Sequence, residues 1–307
     1  MLAYDRRSSN LTKKRKRAKA PPSDELEEDF LGFEDNAAID KQLKDIDRLE
    51  VERIDEKKQK LKDSDEQKVA ESVLDVETRT TLFKMRQKNV FETMTGVIST
   101  GKEANVYHAY TADGSEVAIK VYRTSTNIFK GLQMYILGDP RFAKIKRDQR
   151  SFVYAWAKKE FKNLSRAYKA SVSVPIPVIC VKDVVVMEFI GKNGIPYPLL
   201  KDELIRKAEK VYKEVLENIK KLYHKARLVH ADLSEYNIIY TPKIYFIDIS
   251  QAVLLEHPLS LTFLYRDIKN VNHFFQALDV PIIENDAFFE EIVGEPPSPR
   301  IKSFIIK

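Results

Sequence analysis

The spacing of apolar and polar positions changes character near residue 69. Before it, apolar residues are thin. Between residues 39 and 61 they recur at Ile39, Leu43, Ile46, Ile54 and Leu61, which permits one narrow helix over about 40–62. Only Tyr4, Phe30 and Phe33 among the aromatic residues precede Thr80. A segment with so little to bury stays solvated, so residues 1–65 are expected to be mostly disordered. Beyond residue 69 the pattern is globular. Residues 69–90 predict a helix pair ending near Asn89. Strands follow at 96–99, 105–110 and 116–122, the last two joined by an Asp113-Gly114 turn. The stretch 123–150 reads as a basic loop. Residues 151–170 fit an amphipathic helix with Phe152, Ala155, Trp156, Phe161 and Leu164 on one side, stopped by Pro175 and Pro177. Strands at 178–181 and 184–190 flank Lys182-Asp183.

The most regular helical period runs over 201–228, through Leu204, Ala208, Val211, Val215, Leu216, Ile219, Leu222 and Tyr223. Short strands at 238–240 and 244–249 come next, then helical sequence over about 260–278. Strands dominate the first half of the globular region and helices the second, which predicts an α+β fold in two lobes.

Charge sharpens this division. The chain of 307 residues carries a formal net charge of +6. Residues 1–20 contribute +7 and residues 24–35 contribute −7, so these blocks cancel. Residues 76–307 carry +9, of which 123–150 supply +5. Like-charge blocks at the N-terminus are usually solvated, whereas a basic globular part suits an anionic partner such as nucleotide or RNA. No run approaches the roughly 20 apolar residues of a membrane span. The basic N-terminus has no apolar run behind it, so no secretory signal is expected. One cysteine, Cys180, excludes an internal disulfide or a multi-cysteine metal site and fits a reducing cytoplasm.

Three clusters carry candidate chemistry. Ser99-Thr100-Gly101-Lys102-Glu103-Ala104-Asn105-Val106 sits between two strands. It can present backbone N–H groups to phosphates, or be an ordinary hairpin turn. Lys120, in Val117-Ala118-Ile119-Lys120, needs a carboxylate or phosphate if buried, or else marks an edge strand facing water. The richest cluster is His230-Ala231-Asp232-Leu233-Ser234-Glu235-Tyr236-Asn237, followed by Ile247-Asp248. Asn237 and Asp248 offer the hard oxygen ligands that suit Mg²⁺. Asp232 is left to accept a proton from, or orient, an attacking hydroxyl. An Asp followed by Asn after four residues, with a metal-binding Asp beyond, is the spacing of a kinase catalytic loop.

These residues, with Met187-Glu188-Phe189-Ile190-Gly191 and Ile247-Asp248-Ile249-Ser250-Gln251-Ala252, resemble the RIO family of atypical Ser/Thr protein kinases, Rio-one subgroup, over about residues 69–280. Gly138-Asp139-Pro140-Arg141-Phe142 resembles its archaeal members. The resemblance implies a trimmed bilobal kinase fold. It gives a charged N-terminal extension over 1–68, a kinase domain over 69–295 with lobes at about 90–190 and 191–290, and a tail over 296–307. It implies ATP with Mg²⁺ or Mn²⁺ as cofactors. Lys120 would contact the ATP phosphates and pair with Glu160. Ser99 and Lys102 would lie over the phosphates, with Val106 beside the nucleotide. Glu188 and Ile190 would meet the adenine. Asn237 and Asp248 would hold the metal, and Asp232 would be the catalytic base.

The resemblance also implies autophosphorylation, ATP hydrolysis with an aspartyl-phosphate on Asp248, a cytoplasmic setting, and the pre-ribosomal small subunit, rRNA and proteins, as partner. No membrane partner is expected. The departures are a turn without Gly-x-Gly-x-x-Gly, Ile249-Ser250 where kinases carry Phe-Gly, and no Ala-Pro-Glu segment, which put ordinary peptide phosphorylation in doubt. An aminoglycoside-type small-molecule phosphotransferase and an ATP-sensing RNA-binding scaffold are the competing readings. His224 and His230 are expected to be structural, Trp156 to pack the 151–170 helix, and Cys180 to be a core residue. Arg141, Lys144, Lys146, Arg147 and Arg150 read as a solvated loop or a face for RNA phosphates.

Overall fold

The computed structural model describes residues 74–124, 129–136, 139–142 and 148–303. The expected disorder of 1–65, the helix over 40–62 and the extension over 1–68 lie outside these residues. The first described helix, α1 (Val76–Gln87), begins at Asp75, whose side chain accepts from the Thr78 N–H. Among the described residues, one helix stands where a pair was expected.

Five strands form an antiparallel sheet in the order β1-β2-β3-β5-β4: β1 (Thr93–Thr100), β2 (Ala104–Tyr110), β3 (Glu116–Tyr122), β4 (Pro177–Val181) and β5 (Val184–Glu188). The β2–β3 turn uses Gly114 at φ 76°, as its Asp-Gly sequence predicts. Pro177 opens the edge strand β4, where its missing N–H costs no ladder bond. Alternation along β3 divides the sheet into two faces. Val117, Ile119 and Val121 join Leu82 and Met85 of α1 and Phe91 in one apolar cluster. Tyr122 on the other face joins the larger cluster with Trp156 and Phe161 of α3 (Gln149–Lys169). β3 is therefore flanked by strands and covered on both faces, and Lys120 does not sit on an edge.

The described part of the stretch 123–150, expected as loop, contains helix α2 (Phe129–Ile136) and a 3-10 turn over Pro140–Phe142. Tyr135 of α2 stacks on Phe263 with ring centroids 5.2 Å apart, so an apolar contact converts a locally loop-like sequence into helix. Arg141 and Arg150 do not form a free basic face. Arg141 is engaged with Asp139 and Arg150 with Asp75 and Glu77. Lys144, Lys146 and Arg147 lie outside the described residues.

The helical half begins after two short hairpin strands, β6 (Gly191–Lys192) and β7 (Ile195–Pro196). Helix α4 runs over Ala208–His224 and starts seven residues later than the expected Lys201. The cause lies in Leu199, which bridges Ile239, and in a 3-10 turn over Leu200–Asp202 that leads away from it. Leu204, expected on the apolar face, is 84% exposed. Strand β8 (Leu228–Val229) pairs with β11 (Val253–Leu254), and β9 (Ile238–Tyr240) with β10 (Ile244–Phe246). Helices α5 (Ser260–Gln276), α6 (Asn285–Val293) and α7 (Pro299–Ser303) complete the described residues. The last of these stands in the expected tail. The fold is a bilobal α+β architecture of the kinase kind. No described helix is long and apolar enough to cross a membrane.

Phe275 is fully buried, with its ring 5.2 Å from Tyr212. Phe275→Ala is expected to cost about 3–5 kcal/mol in urea unfolding, whereas Leu204→Ser is expected to stay within about 0.5 kcal/mol of the parent.

Candidate active site

Lys120 reaches the site because β3 is central and α3 crosses its face. Trp156, Lys159, Glu160 and Asn163 recur at helical spacing on α3, all buried. The Lys120 Nζ donates to Glu160 Oε1 at 2.8 Å and to Asp248 Oδ1 at 2.8 Å. Burial works against its charge, but the carboxylates of Asp248 and Glu160 outweigh it and raise its pKa. Glu160 is displaced upward, first by burial, with Lys120 opposing. Its second oxygen accepts from the Tyr122 hydroxyl. Asp248 behaves differently. Desolvation by its packed surroundings pushes its carboxyl up although about half of the side chain is exposed, but Lys120 and the Ser250 hydroxyl, 2.8 Å from Oδ1, hold it at about 2. Both of these donors use Oδ1, and among the described residues no hydrogen bond is seen to Oδ2.

The loops that present Asp232 and Asp248 turn through left-handed backbone, at Ala231 (φ 65°) and at Asp248 itself (φ 53°). Such non-glycine conformations persist only when surrounding bonds hold them. Asp267, buried in the middle of α5, accepts from the Ala231 N–H at 2.8 Å and the Leu233 N–H at 3.0 Å. Burial raises its pKa to about 7. Arg266 donates to the Ala231 carbonyl. The His230 Nε2–H donates to the Ile247 carbonyl at 3.3 Å, tying the two loops together. Burial pushes His230 down to about 4, so the ring is neutral and structural, as expected. The Ile247 N–H in turn donates to the Asn237 carbonyl at 2.9 Å. Asn237 Nδ2 donates to the Asp232 carbonyl at 2.7 Å and to its Oδ2 at 3.3 Å. The amide orientation leaves the Asn237 Oδ1 as an acceptor. Burial first, and the Asp248 charge, raise the Asp232 pKa, opposed by Arg266.

The expected phosphate turn is tight. The Gly101 N–H donates to the Ala104 carbonyl at 2.9 Å. Ser99 pairs with Val106, and Val106 pairs with Lys120, so Val106 and Lys120 share one sheet face. Ser99 and Lys102 are exposed at this end of the sheet, and among the described residues no hydrogen bond or ion pair is seen between them and the Asp232–Asp248 group. At the other end, the Glu188 N–H donates to the Ile176 carbonyl at 2.8 Å, and the Ile190 carbonyl accepts from Tyr197 at 3.0 Å. This pins 188–190 between the sheet and the β6–β7 hairpin. Gly191 is required there, because a Cβ would lie 2.4 Å from the Ile195 oxygen and the Phe189 ring.

Lys120, Glu160, Asp232, Asn237 and Asp248 thus converge. Asp267, Arg266 and Asn163 were not singled out in the sequence, and Glu103 was named only as part of the 99–106 turn, with no role. An acidic residue between Leu264 and Ile268 on a buried helical face was the available signal for Asp267, and a polar Asn on the apolar side of α3 was the signal for Asn163. Glu103 stands close enough that burial, and then the Asp248 charge, raise its pKa. Among the described residues no three His, Cys, Asp or Glu side chains form a ready metal cage. One carboxylate and one amide oxygen beside an anionic ligand is nonetheless the donor set Mg²⁺ commonly takes, with phosphates and water filling the rest.

A family model described as the RIO domain matches residues 105–288. The chain belongs to the RIO family. It is 39% identical over 277 residues to the serine/threonine-protein kinase RIO1 of Caenorhabditis elegans, covering 89% of this chain and 54% of that one. It is 43% identical to human RIO1 over 236 residues, 75% of this chain and 42% of that one. It is 39% identical to the RIO-type serine/threonine-protein kinase Rio1 of Haloferax volcanii, covering 81% and 86%. These matches make it a RIO protein of the Rio1 type, although it spans only about half the length of the animal relatives. A Rio2 kinase from Chaetomium thermophilum, solved with ADP, Mg²⁺ and a phosphoaspartate, shares the fold at a TM-score of 0.54 and 18% identity, over 72% of this chain and 68% of that one. In this RIO chain Lys120 and Glu160 form a buried ion pair, and Lys120 also reaches Asp248 in the loop after β10. Lys120→Ala should cost about 3 kcal/mol near neutral pH by leaving Glu160 unpaired. That loss should shrink as pH falls through the raised Glu160 pKa, since protonation removes the orphaned charge. Urea unfolding of parent and variant across pH checks both the size and the sign.

Proposed function

We propose that the chain binds ATP with a divalent cation and transfers its γ-phosphoryl group, as a Ser/Thr protein kinase and ATPase acting in small-ribosomal-subunit maturation. The observation carrying this reading is the Lys120 ammonium, 2.8 Å from both Glu160 and Asp248. It joins the nucleotide-facing sheet to the loop that bears the metal aspartate. Lys120 neutralises phosphate charge, and Glu160 keeps it in place. Asn237 and Asp248 would hold Mg²⁺, or Mn²⁺ in its stead, which neutralises the β- and γ-phosphate oxygens when bound. Val106, Ser99 and Lys102 frame the phosphate end, and Glu188 and Ile190 the base end.

Asp232 accepts or orients the proton of the attacking hydroxyl. Its raised pKa brings it nearer the working pH than an exposed aspartate. The Asp248 oxygen not bonded to Lys120 is the candidate nucleophile for an aspartyl-phosphate. Its attack on the γ-phosphorus releases ADP, and water then cleaves the acyl phosphate to regenerate the carboxylate. The phosphoaspartate of the Chaetomium thermophilum kinase supports this route. The family resemblance supports autophosphorylation, a cytoplasmic location, and the precursor of the small ribosomal subunit, rRNA and proteins, as partner. It also supports a kinase domain over 69–295 with lobes at 90–190 and 191–290.

Incubation with γ-labelled ATP and Mg²⁺ should label the chain, with part of the label released by hydroxylamine. Asp248→Asn should abolish that labile fraction, and unchanged turnover in this variant would defeat the assignment. Asp232→Asn should lower kcat by about 10²-fold to 10⁴-fold. The acid limb of the parent's pH–rate profile should lie above the ordinary aspartate value, because turnover requires ionised Asp232 and is lost as pH falls through its pKa.

A further inference from the structure

The segment between β3 and α3, with its Gly138-Asp139-Pro140-Arg141-Phe142 motif, has no part in the chemistry above, yet its described residues adjoin Asn163 and Arg266, the side chains that hold the two active-site loops. Asp139 is 6% exposed and receives the Arg141 guanidinium as a fork, Nε at 2.9 and 3.0 Å and Nη2 at 2.5 Å. The remaining arm, Nη1, donates to Asn163 Oδ1 at 2.8 Å. Asn163 is fully buried, and its Nδ2 donates to the Ile249 carbonyl at 3.1 Å and the Ala252 carbonyl at 2.9 Å. Between these, the Lys159 Nζ donates to the Ser250 carbonyl at 2.5 Å while lying 4.4 Å from the Trp156 ring centroid. Three carbonyls of the four residues that follow Asp248 are thus held by α3. Without Arg141 the Oδ1 of Asn163 would be an orphaned buried acceptor. On the other side, Arg266 lies close enough to the Tyr135 hydroxyl of α2 to oppose the rise that burial gives its pKa, and it donates to the Ala231 carbonyl beside Asp232.

We propose that Arg141 is a positioning residue for phosphoryl transfer, acting through Asn163 on the backbone that aims Asp248. The insert between β3 and α3 then orders the site from the α3 side, in a chain whose sequence carries no Ala-Pro-Glu segment after the metal aspartate. Planarity suits arginine to this position, since one guanidinium spans Asp139 and Asn163 at once, and a lysine cannot. The inference rests on the reading of Asp248 as the phosphoryl-transfer carboxylate.

The test uses the full chain and three variants: Arg141→Lys, which keeps a cation beside buried Asp139, Asn163→Ala, and the double variant. Hydrogen–deuterium exchange read on peptides covering 249–252 should quicken by about 10-fold in Arg141→Lys, while peptides of α1 do not change. Turnover of Mg²⁺-ATP should fall about 10-fold to 100-fold in kcat with KM for ATP unchanged, the size seen when an outer support of a metal ligand is lost. The double variant should lose no more than the worse single variant, because both break one relay. Unchanged exchange at 249–252 in Arg141→Lys, or losses in kcat that multiply in the double variant, would overturn the proposal. If the parent chain turns over no ATP, the phosphotransfer reading fails, and the exchange comparison still decides whether Arg141 holds this loop.

Discussion

A single buried ammonium organises the molecule. Lys120 sits in a central strand where it cannot reach bulk water, and an unpaired charge there is prohibitively costly. Glu160 and Asp248 solve that problem together, one from the helix across the sheet and one from the loop after β10. Three elements distant in sequence are fixed to one point. The asymmetry between the two carboxylates is informative. Glu160 is buried and also receives the Tyr122 hydroxyl, so it is an anchor. Asp248 keeps 48% of its side chain exposed, so it is an anchor with a free side that can take a ligand.

The same economy governs the loops. Left-handed backbone at Ala231 and Asp248 is unfavourable for residues with a Cβ, and each is held by bonds from behind. Asp267 and Arg266 grip the first loop, and Asn163 and Lys159 grip the residues following Asp248. The side chains that face the cleft are supported by buried polar groups that never enter it, which is how a preorganised charged site keeps its geometry.

Much of this was legible in the chain. Strands with clear alternation and the Asp-Gly turn were readable because local patterning and tertiary packing agree there. The residues that converge on Lys120 were readable because their spacing matches that of a kinase catalytic loop. What was not legible depends on contacts remote in sequence. Helix α2 exists because Tyr135 finds Phe263, and α4 starts late because Leu199 is bridged to Ile239. Arg141 looked like part of a basic surface until Asp139, two residues away, and Asn163, across the fold, enclosed it. Sequence charge counts residues, whereas only the fold says which of them are already neutralised.

The central claim is that Lys120 and Asp248 form the phosphate end of an ATP site. The most direct measurement is an experimental structure of the chain with Mg²⁺ and ATP. The expected result is a phosphate oxygen on the Lys120 ammonium, with Glu160 still bonded to it, and the cation shared between Asn237 and Asp248. A nucleotide bound elsewhere, with the Lys120–Asp248 pair closed and no cation beside Asn237, would contradict it.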